Sequence, residues 1–317
     1  MKIINLEQIK QIINNLDINE LIKNIEDGFI EYSNCNVNVP PVGYLGFDNP
    51  SGDVHIKYGY IKSDSYYVIK IASGFYENAK LNISVGNGLM IIFDKMTGTP
   101  ICILLDEGYL TDLRTAIAGA VVAKHFAPKN ISSVGIIGTG IQSKLQLKYL
   151  KNVIKFDKVY VWGRTPENIH KFITDTKGLN LNVQPALSAK EIGSRCNMIV
   201  TTTNSSSPLL FSDDVNSGTH ITAVGTDSPG KQEIDQAIFA KSHLIIADSI
   251  SQCIDHGDIS YALKDNLIST NQILELGACI KNKNVRKNQN DISVADLTGV
   301  AVQDIVIAKS IYLKITD

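Results

Sequence analysis

The spacing of apolar residues changes near residue 128 and divides the chain into two kinds of segment. Before this point, helical spacing predicts helices over Leu6–Leu16 and Ile18–Tyr32, with Asp17 as the N-cap between them. Residues 37–105 predict strands separated by turns, and Thr111–Phe126 predicts an alanine-rich helix. This first part therefore has the pattern of an α+β domain.

Strand-like and helix-like patterns alternate after residue 128, which is typical of a doubly wound α/β domain with a parallel sheet. Five apolar runs predict its strands: Ser133–Ile137, Lys158–Trp162, Asn197–Thr202, His220–Val224 and Leu244–Ala247. The last segment, Thr298–Thr316, again has helical spacing. Periodicity alone leaves open which part of the chain this last helix packs against.

Length and composition exclude several classes of protein. The 317 residues suggest two domains, and a net charge of −2 gives no attraction for nucleic acid or anionic membranes. No apolar run approaches the roughly 20 residues that span a bilayer, and the first 15 residues lack the apolar core of a secretion signal. Cysteines and histidines lack metal-ligand spacing, so we predict a reduced, cytoplasmic chain without a metal site.

A glycine-rich turn follows the first strand of the second part and opens an amphipathic helix, which is the context of a dinucleotide site. Gly138 is expected to make the tight turn and Gly140 to let the backbone approach a pyrophosphate. The helix N-terminus would stabilise the charge of that group. We therefore predict an NAD(P)H site whose first contacts are Gly138, Thr139, Gly140, Ile141 and Gln142.

The end of the next strand determines which cofactor fits. Arg164 and Thr165 occupy the position where an NAD site usually carries an acidic residue, so the sequence favours NADP(H). Stacking of Arg164 on the adenine is the alternative. Further candidate cofactor contacts, most of them at strand ends, are Thr202, Thr203, Val224, Gly225 and Val300. A polar loop without a ligand is the alternative for the threonines.

Two further motifs carry charged side chains. Arg114 stands at the head of the alanine-rich helix, in Leu110-Thr111-Asp112-Leu113-Arg114, and Asp227 follows an apolar strand, in Val224-Gly225-Thr226-Asp227. With the glycine-rich turn and the segment Asp296–Ala301, these motifs resemble the ornithine cyclodeaminase/mu-crystallin family over nearly the whole chain. The resemblance implies a homodimer in which a Rossmann domain, residues 129–300, is inserted into a substrate-binding and dimerisation domain, residues 1–128 and 301–317. It also implies an active site between the two domains.

The resemblance also implies roles for three residues. By position, Lys70 corresponds to the family's lysine in the substrate cleft, Arg114 to the arginine that binds the substrate carboxylate, and Asp227 to the acid that moves protons. The chemistry of these side chains agrees with such roles. A guanidinium presents a planar fork to a carboxylate, and an aspartate beside an imine can transfer a proton.

Two departures from the family pattern bear on the substrate. Val42 stands where many members have an arginine, and Lys57 stands where the ornithine enzyme has a carboxylate. A lysine would repel the distal amine of ornithine. With Lys70, Arg114 and His55, Lys57 would make a cation-rich cleft that suits a small acidic substrate. A Lys57 side chain directed to solvent at a strand edge is the alternative.

These features predict an NAD(P)H-dependent reductase of small anionic α-imino acids, reversible as an amino-acid dehydrogenase. Iminosuccinate or iminopyruvate would give aspartate or alanine, with the proton supplied by Lys70 or Asp227. One alternative is an ornithine cyclodeaminase, which converts ornithine to proline and ammonia with NAD used catalytically. Another is a non-catalytic, NADPH-dependent binding protein like mu-crystallin.

Overall fold

The computed structural model describes residues 1–283 and 286–316, which form two compact units. Unit 1 comprises Met1–Arg114 and the C-terminal residues from Val300 onward, and unit 2 comprises Thr115–Gly299. The sequence placed the first boundary at residue 128, whereas this division falls inside a helix, because residues from Thr115 onward bond within unit 2: Gln146 donates a hydrogen bond to the Thr115 carbonyl at 3.1 Å. The predicted roles of the two parts in substrate binding and dimerisation stay predictions.

Unit 1 is built on a mainly antiparallel sheet in the order β1-β7-β6-β5-β4-β2, with β3 also paired to β4. Asp17 caps the second helix, as the sequence predicted, by accepting a hydrogen bond from the Asn19 N–H at 2.9 Å. The elements are β1 (Lys2–Asn5), α1 (Leu6–Asn15), α2 (Ile18–Ser33), β2 (Val37–Asn38), β3 (Gly43–Asp48), β4 (Ser51–Ile61), β5 (Tyr66–Phe75), β6 (Gly86–Asp94), β7 (Pro100–Leu105) and α3 (Tyr109–Phe126), which continues into unit 2.

Unit 2 has the predicted Rossmann-like parallel sheet, in the order β10-β9-β8-β11-β13-β17-β15-β16, with β12 and β14 paired separately. The five predicted strands are present at the expected places, with ends that differ by at most one residue. The elements are β8 (Val134–Ile137), α4 (Ile141–Leu150), β9 (Lys158–Trp162), α5 (Pro166–Asp175), β10 (Asn182–Pro185), α6 (Ala189–Arg195), β11 (Met198–Thr201), β12 (Ser206–Leu210), β13 (His220–Ala223), β14 (Gln232–Ile234), α7 (Gln236–Lys241), β15 (Leu244–Ala247), α8 (Ile250–His256), α9 (Asp258–Lys264), β16 (Ile273–Glu275), α10 (Leu276–Lys281) and β17 (Ser293–Asp296).

The strand order of unit 2 reverses between β8 and β11. Chain connections leave β8 toward β9 and β10 on one side and return to β11 on the other. Ligands of open α/β sheets bind at such a switch point, outside the carboxyl ends of the strands. The loops that follow β8 and β11 are therefore the expected ligand-binding loops of unit 2.

The C-terminal helix α11 (Ala301–Lys314) belongs to unit 1, where it packs against α2, β4 and β5. The absence of a side chain at Gly28 allows the close approach, since a Cβ there would lie 2.9 Å from a methyl group of Val306. Among the described residues, no helix combines the length and apolarity needed to cross a membrane.

Candidate functional site

The turn after β8 has the geometry expected of a dinucleotide-binding loop. Gly138 has a φ of +121°, and a Cβ there would lie 2.6 Å from the Thr202 hydroxyl. A Cβ at Gly140 would meet no atom within 4 Å, and no side chain caps the N-terminus of α4 at this residue. Backbone N–H groups at the start of α4 therefore border open space, where a pyrophosphate can approach them.

A cavity of about 610 Å³ extends from this turn over the carboxyl ends of β9 and β11. Several predicted residues line it together: Gly138, Thr139, Gly140, Arg164, Thr165, Thr202 and Thr203. Sequence reasoning missed the hydroxyl-bearing Ser205–Ser207, which also lines it. No aspartate or glutamate occurs among the described lining residues. The cavity therefore presents a cationic side chain and several hydroxyl groups beside a turn with dinucleotide-binding geometry.

The other predicted cofactor contacts lie elsewhere. Ile141 is 60% exposed, and neither it nor Gln142 lines this cavity. Val224 and Val300 are buried, and the Gly225 N–H donates a hydrogen bond to a carboxylate within unit 2. Their cofactor contacts stay predictions.

Glu233 is a buried acid of unit 2 that sequence reasoning did not single out. Its carboxylate accepts hydrogen bonds from the Thr201 hydroxyl at 2.7 Å, the Gly225 N–H at 2.8 Å and the Thr203 N–H. Burial, followed by the charge of Asp258, raises the pKa of Glu233 to about 7. This one side chain ties together the loops that follow β11 and β13.

In unit 1, Lys57 and Lys70 lie directly opposite each other on β4 and β5. Residues opposite each other in an antiparallel pair point to the same face of the sheet. Lys57 is 8% exposed and Lys70 is 2% exposed, so Lys57 is not directed to solvent. His55 precedes Lys57 by two residues on β4 and therefore shares its face, where its ring contacts Tyr44 edge-on.

The first turn of α11 connects Lys70 to Arg114. Oδ1 of Asp304 accepts hydrogen bonds from Arg114 Nε at 3.0 Å and from Lys70 Nζ at 3.2 Å. The neighbouring Gln303 accepts a hydrogen bond from Arg114 Nη1 at 2.6 Å. All four side chains are at least nine-tenths buried. Sequence reasoning missed Gln303 and Asp304, although two polar residues in the first turn of a largely apolar helix were a signal for them.

The charges in this cluster determine how its members titrate. Burial lowers the pKa of Lys70 to about 7, the charges of Arg114 and Lys57 act in the same direction, and Asp304 opposes them. Burial by itself would raise the pKa of Asp304, but the three cations outweigh it and lower that pKa. Burial raises the pKa of the adjacent Asp106, whose carboxylate accepts a hydrogen bond from the Leu110 N–H.

Asp227 lies in unit 2, in the turn after β13. Its side chain is 56% exposed, and Oδ1 accepts a hydrogen bond from Lys231 Nζ at 2.6 Å. Lys70 and Arg114 belong to unit 1, so the predicted catalytic acid and the predicted cleft residues come from different units. The role of Asp227 in proton transfer stays a prediction. Within the described ranges, no group of three or more acidic, histidine or cysteine residues is arranged to hold a metal ion.

Several solved structures match the whole of this chain, and three of them share at least 26% of its residues. The Δ¹-pyrroline-2-carboxylate reductase of Thermococcus litoralis, in complex with NADH and L-proline, has a TM-score of 0.92 and 26% identity, with 98% of that chain covered. An archaeal alanine dehydrogenase dimer with bound NAD has a TM-score of 0.91 and 29% identity, with 96% covered. The iminosuccinate reductase of Paracoccus denitrificans, in complex with NAD⁺, has a TM-score of 0.90 and 30% identity, with 96% covered.

Each of these neighbours was solved with NADH or NAD bound, and two of them are named as reductases, of Δ¹-pyrroline-2-carboxylate and of iminosuccinate. The model of the ornithine cyclodeaminase/mu-crystallin family matches residues 4–317 of this chain. The chain belongs to the ornithine cyclodeaminase/mu-crystallin family.

Proposed function

We propose that this protein is an NAD(P)H-dependent reductase of small anionic α-imino acids, with iminosuccinate as the preferred substrate. Reduction adds a hydride to the imine carbon and a proton to the imine nitrogen, and gives the α-amino acid. Running in reverse, the same chemistry is that of an amino-acid dehydrogenase. We also propose a homodimer, which the dimeric alanine dehydrogenase neighbour supports.

The observation that carries the proposal is the buried pair of lysines on β4 and β5. Lys57 and Lys70 share one face of the sheet, and the charges of Lys57 and Arg114 both act on Lys70. Against these three cationic side chains stands one carboxylate bonded to two of them, Asp304, so the cluster keeps an excess of positive charge that favours an anionic ligand. Iminosuccinate, which carries two carboxylates, fits this requirement better than ornithine, whose distal group is a cation.

Each residue of unit 1 has a distinct proposed task. Arg114 binds the α-carboxylate through the part of its guanidinium that Asp304 and Gln303 leave available. Lys57 binds the distal carboxylate, and Lys70 donates a proton to the imine nitrogen. A pKa of about 7 suits Lys70 to this task, because the ammonium and the amine are then both populated near neutral pH. Asp227 is the second candidate for the proton transfer.

Unit 2 holds the cofactor in this proposal. When bound, a reduced nicotinamide supplies the hydride. The N–H groups that follow Gly138 bind the pyrophosphate. Glu233 holds the segments after β11 and β13 together through its hydrogen bonds. At the ribose end Arg164 is exposed and Thr165 is half-buried, and the described residues that line the cavity include no aspartate or glutamate. This arrangement favours NADPH over NADH, since a 2′-phosphate carries negative charge.

The substitution Lys57→Met tests the choice of substrate. We expect it to lower kcat/KM for iminosuccinate by about one to two orders of magnitude, because a charge-assisted bond is lost. The value for iminopyruvate, which lacks the distal carboxylate, should change by less than about threefold. Steady-state kinetics with both substrates measure the ratio, and Lys62→Met, at an exposed lysine just beyond β4, is the matched control. An equal loss with both substrates would contradict the role of Lys57.

The substitution Arg164→Leu tests the choice of cofactor. We expect KM for NADPH to rise by about one to two orders of magnitude and KM for NADH to change little. Arg195→Leu, at a half-exposed arginine of α6, controls for the loss of one surface charge. If KM rises equally for both cofactors, Arg164 stacks on the adenine and does not bind the 2′-phosphate.

The reaction itself is tested by mixing the purified protein with NADPH or NADH, ammonium and one 2-oxo acid at a time. Oxaloacetate, pyruvate and glyoxylate form the corresponding imino acids in solution, and loss of the nicotinamide absorbance reports their reduction. The proposal predicts ammonium-dependent oxidation that is fastest with oxaloacetate. If added Δ¹-pyrroline-2-carboxylate is reduced faster than any of these imino acids, the protein is an imine reductase but its preferred substrate is not iminosuccinate.

Two outcomes would overturn the reductase proposal. Ammonia release from ornithine with catalytic NAD, without net change in nicotinamide absorbance, would identify a cyclodeaminase. Tight NADPH binding without turnover of any of these substrates would identify a binding protein.

A further inference from the structure

Asp304 has an unusual position among the charged groups of unit 1. In the described part of the chain, it is the one carboxylate bonded to both Arg114 and Lys70. It is 1% exposed, and it lies in the first turn of α11, 190 positions along the chain from Arg114. A buried carboxylate between two cations is held there by both of them and restricts both in return.

We infer that Asp304 is the positioning residue of the substrate site: it orients the Arg114 guanidinium and its charge keeps a proton on Lys70. This inference rests on the proposed function for the identity of the reaction, but its physical content concerns residues of unit 1 alone. It assigns to Asp304 no contact with the substrate.

Two hydrogen bonds fix the geometry of the Arg114 guanidinium. Its Nε donates to Asp304 and its Nη1 donates to Gln303, whereas Nη2 has no bond to any described residue. A carboxylate can therefore bind the Nη1–Nη2 end of the fork, and Asp304 blocks the Nε side. The Nε2 of Gln303 is a buried donor without a partner among the described residues. An unmade buried hydrogen bond is costly, so this amide is a second donor for an incoming acceptor.

The charge on Lys70 depends on the charged groups around it. The groups that face it are Asp304 on α11, Arg114 on α3, Lys57 on β4 and Asp106 after β7. Burial and the two cations disfavour its ammonium form, and Asp304 is the strongest influence that favours it. Without the Asp304 charge, the pKa of Lys70 falls from about 7 to a lower value, and the proton is lost at the pH where the reaction runs.

The deciding variant is Asp304→Asn, which keeps the shape and one acceptor oxygen but removes the charge. We expect the pKa of Lys70 to fall by at least about one unit. That pKa is measured without substrate, from the ¹³C shift of ε-labelled lysine against pH, with the signal assigned from Lys70→Met. We also expect the loss of kcat at high pH to begin at least about one pH unit lower. Asp64→Asn is the matched control, because it removes a carboxylate paired with Lys309, which lies on α11 like Asp304. This control should change neither the pKa of Lys70 nor the pH profile of kcat.

Two results separate this inference from the proposed function. If no imino acid is reduced but the pKa of Lys70 falls in Asp304→Asn, the electrostatic role of Asp304 stands and the proposed reaction fails. If the reductase is active but Asp304→Asn shifts neither the lysine pKa nor the pH profile, the inference is overturned and the proposed reaction stands.

A second substitution of Asp304 decides the case in which Asp304→Asn does not fold. Asp304→Glu keeps the charge but lengthens the side chain by one methylene. We expect the basic limb of kcat to stay within about 0.3 pH unit of the wild type, because the charge is retained. KM for the imino acid should rise at least about fivefold, because Arg114 is displaced. A basic limb that moves down, or a KM that does not change, would overturn the inference.

Discussion

Replacing Lys70 with methionine is expected to lower kcat for imine reduction by about two to four orders of magnitude, the usual contribution of a positioned general acid. Lys70 is buried and has a pKa of about 7, so it can both hold and release a proton near neutral pH. Methionine has a similar volume but no proton to donate. Steady-state kinetics measure the loss, and NADPH titration by fluorescence should show unchanged cofactor binding.

The role of Lys70 as proton donor determines how kcat should change with pH. Because the ammonium form is the donor, kcat of the wild type should fall as the pH rises through about 7. Lys70→Met should remove that basic limb together with most of the rate. Lys309→Met, which breaks another ion pair of α11, is the matched control and should retain both. A variant that loses Lys70 but keeps the limb would assign the proton to another group, with Asp227 as the first candidate.

Replacing Arg114 with alanine is expected to raise KM for the imino acid by about two to three orders of magnitude, with a smaller change in kcat. The guanidinium offers a planar, charged fork, and it donates hydrogen bonds to Asp304 and Gln303. Truncation removes the carboxylate fork and also leaves Asp304 without one of its two cations. An unchanged KM would contradict the assignment of Arg114.

The same change is expected to destabilise the fold, because breaking one side of a buried ion pair costs about 3 kcal/mol or more. Urea unfolding followed by circular dichroism separates this effect from the loss of binding. Arg114→Lys is the comparison variant, since it keeps the charge and loses the planar fork. If binding depends on the fork, the lysine variant should bind the imino acid more weakly than the wild type and more tightly than the alanine variant.

The local features of the chain were readable from the sequence because they depend on neighbouring residues. The strands Lys158–Trp162 and Leu244–Ala247 were predicted with their observed ends, since a run of apolar residues between polar turns has few other solutions. Gly138 was predicted to make a tight turn, and it has a positive φ. The order of these motifs also carried the family, over nearly the whole length of the chain.

The boundary of the first unit was not readable in the same way. The alanine-rich pattern predicted one continuous helix, and α3 is one continuous helix. Helical periodicity does not say that the first turns belong to one compact unit and the later turns to another. That division depends on partners such as Gln146, which bonds to the backbone of Thr115.

The sequence by itself determined the local elements, the glycine-rich turn and the identity of the cationic side chains. Only the tertiary structure decided where those cations point and what holds them. Strand side chains alternate between faces, so the register of β4 against β5 was needed to bury Lys57 opposite Lys70. Asp304 follows Lys70 by 234 positions, and no local pattern links residues so far apart. Contacts of this kind form only when the chain folds, because they depend on packing between distant elements and not on the propensities of neighbouring residues.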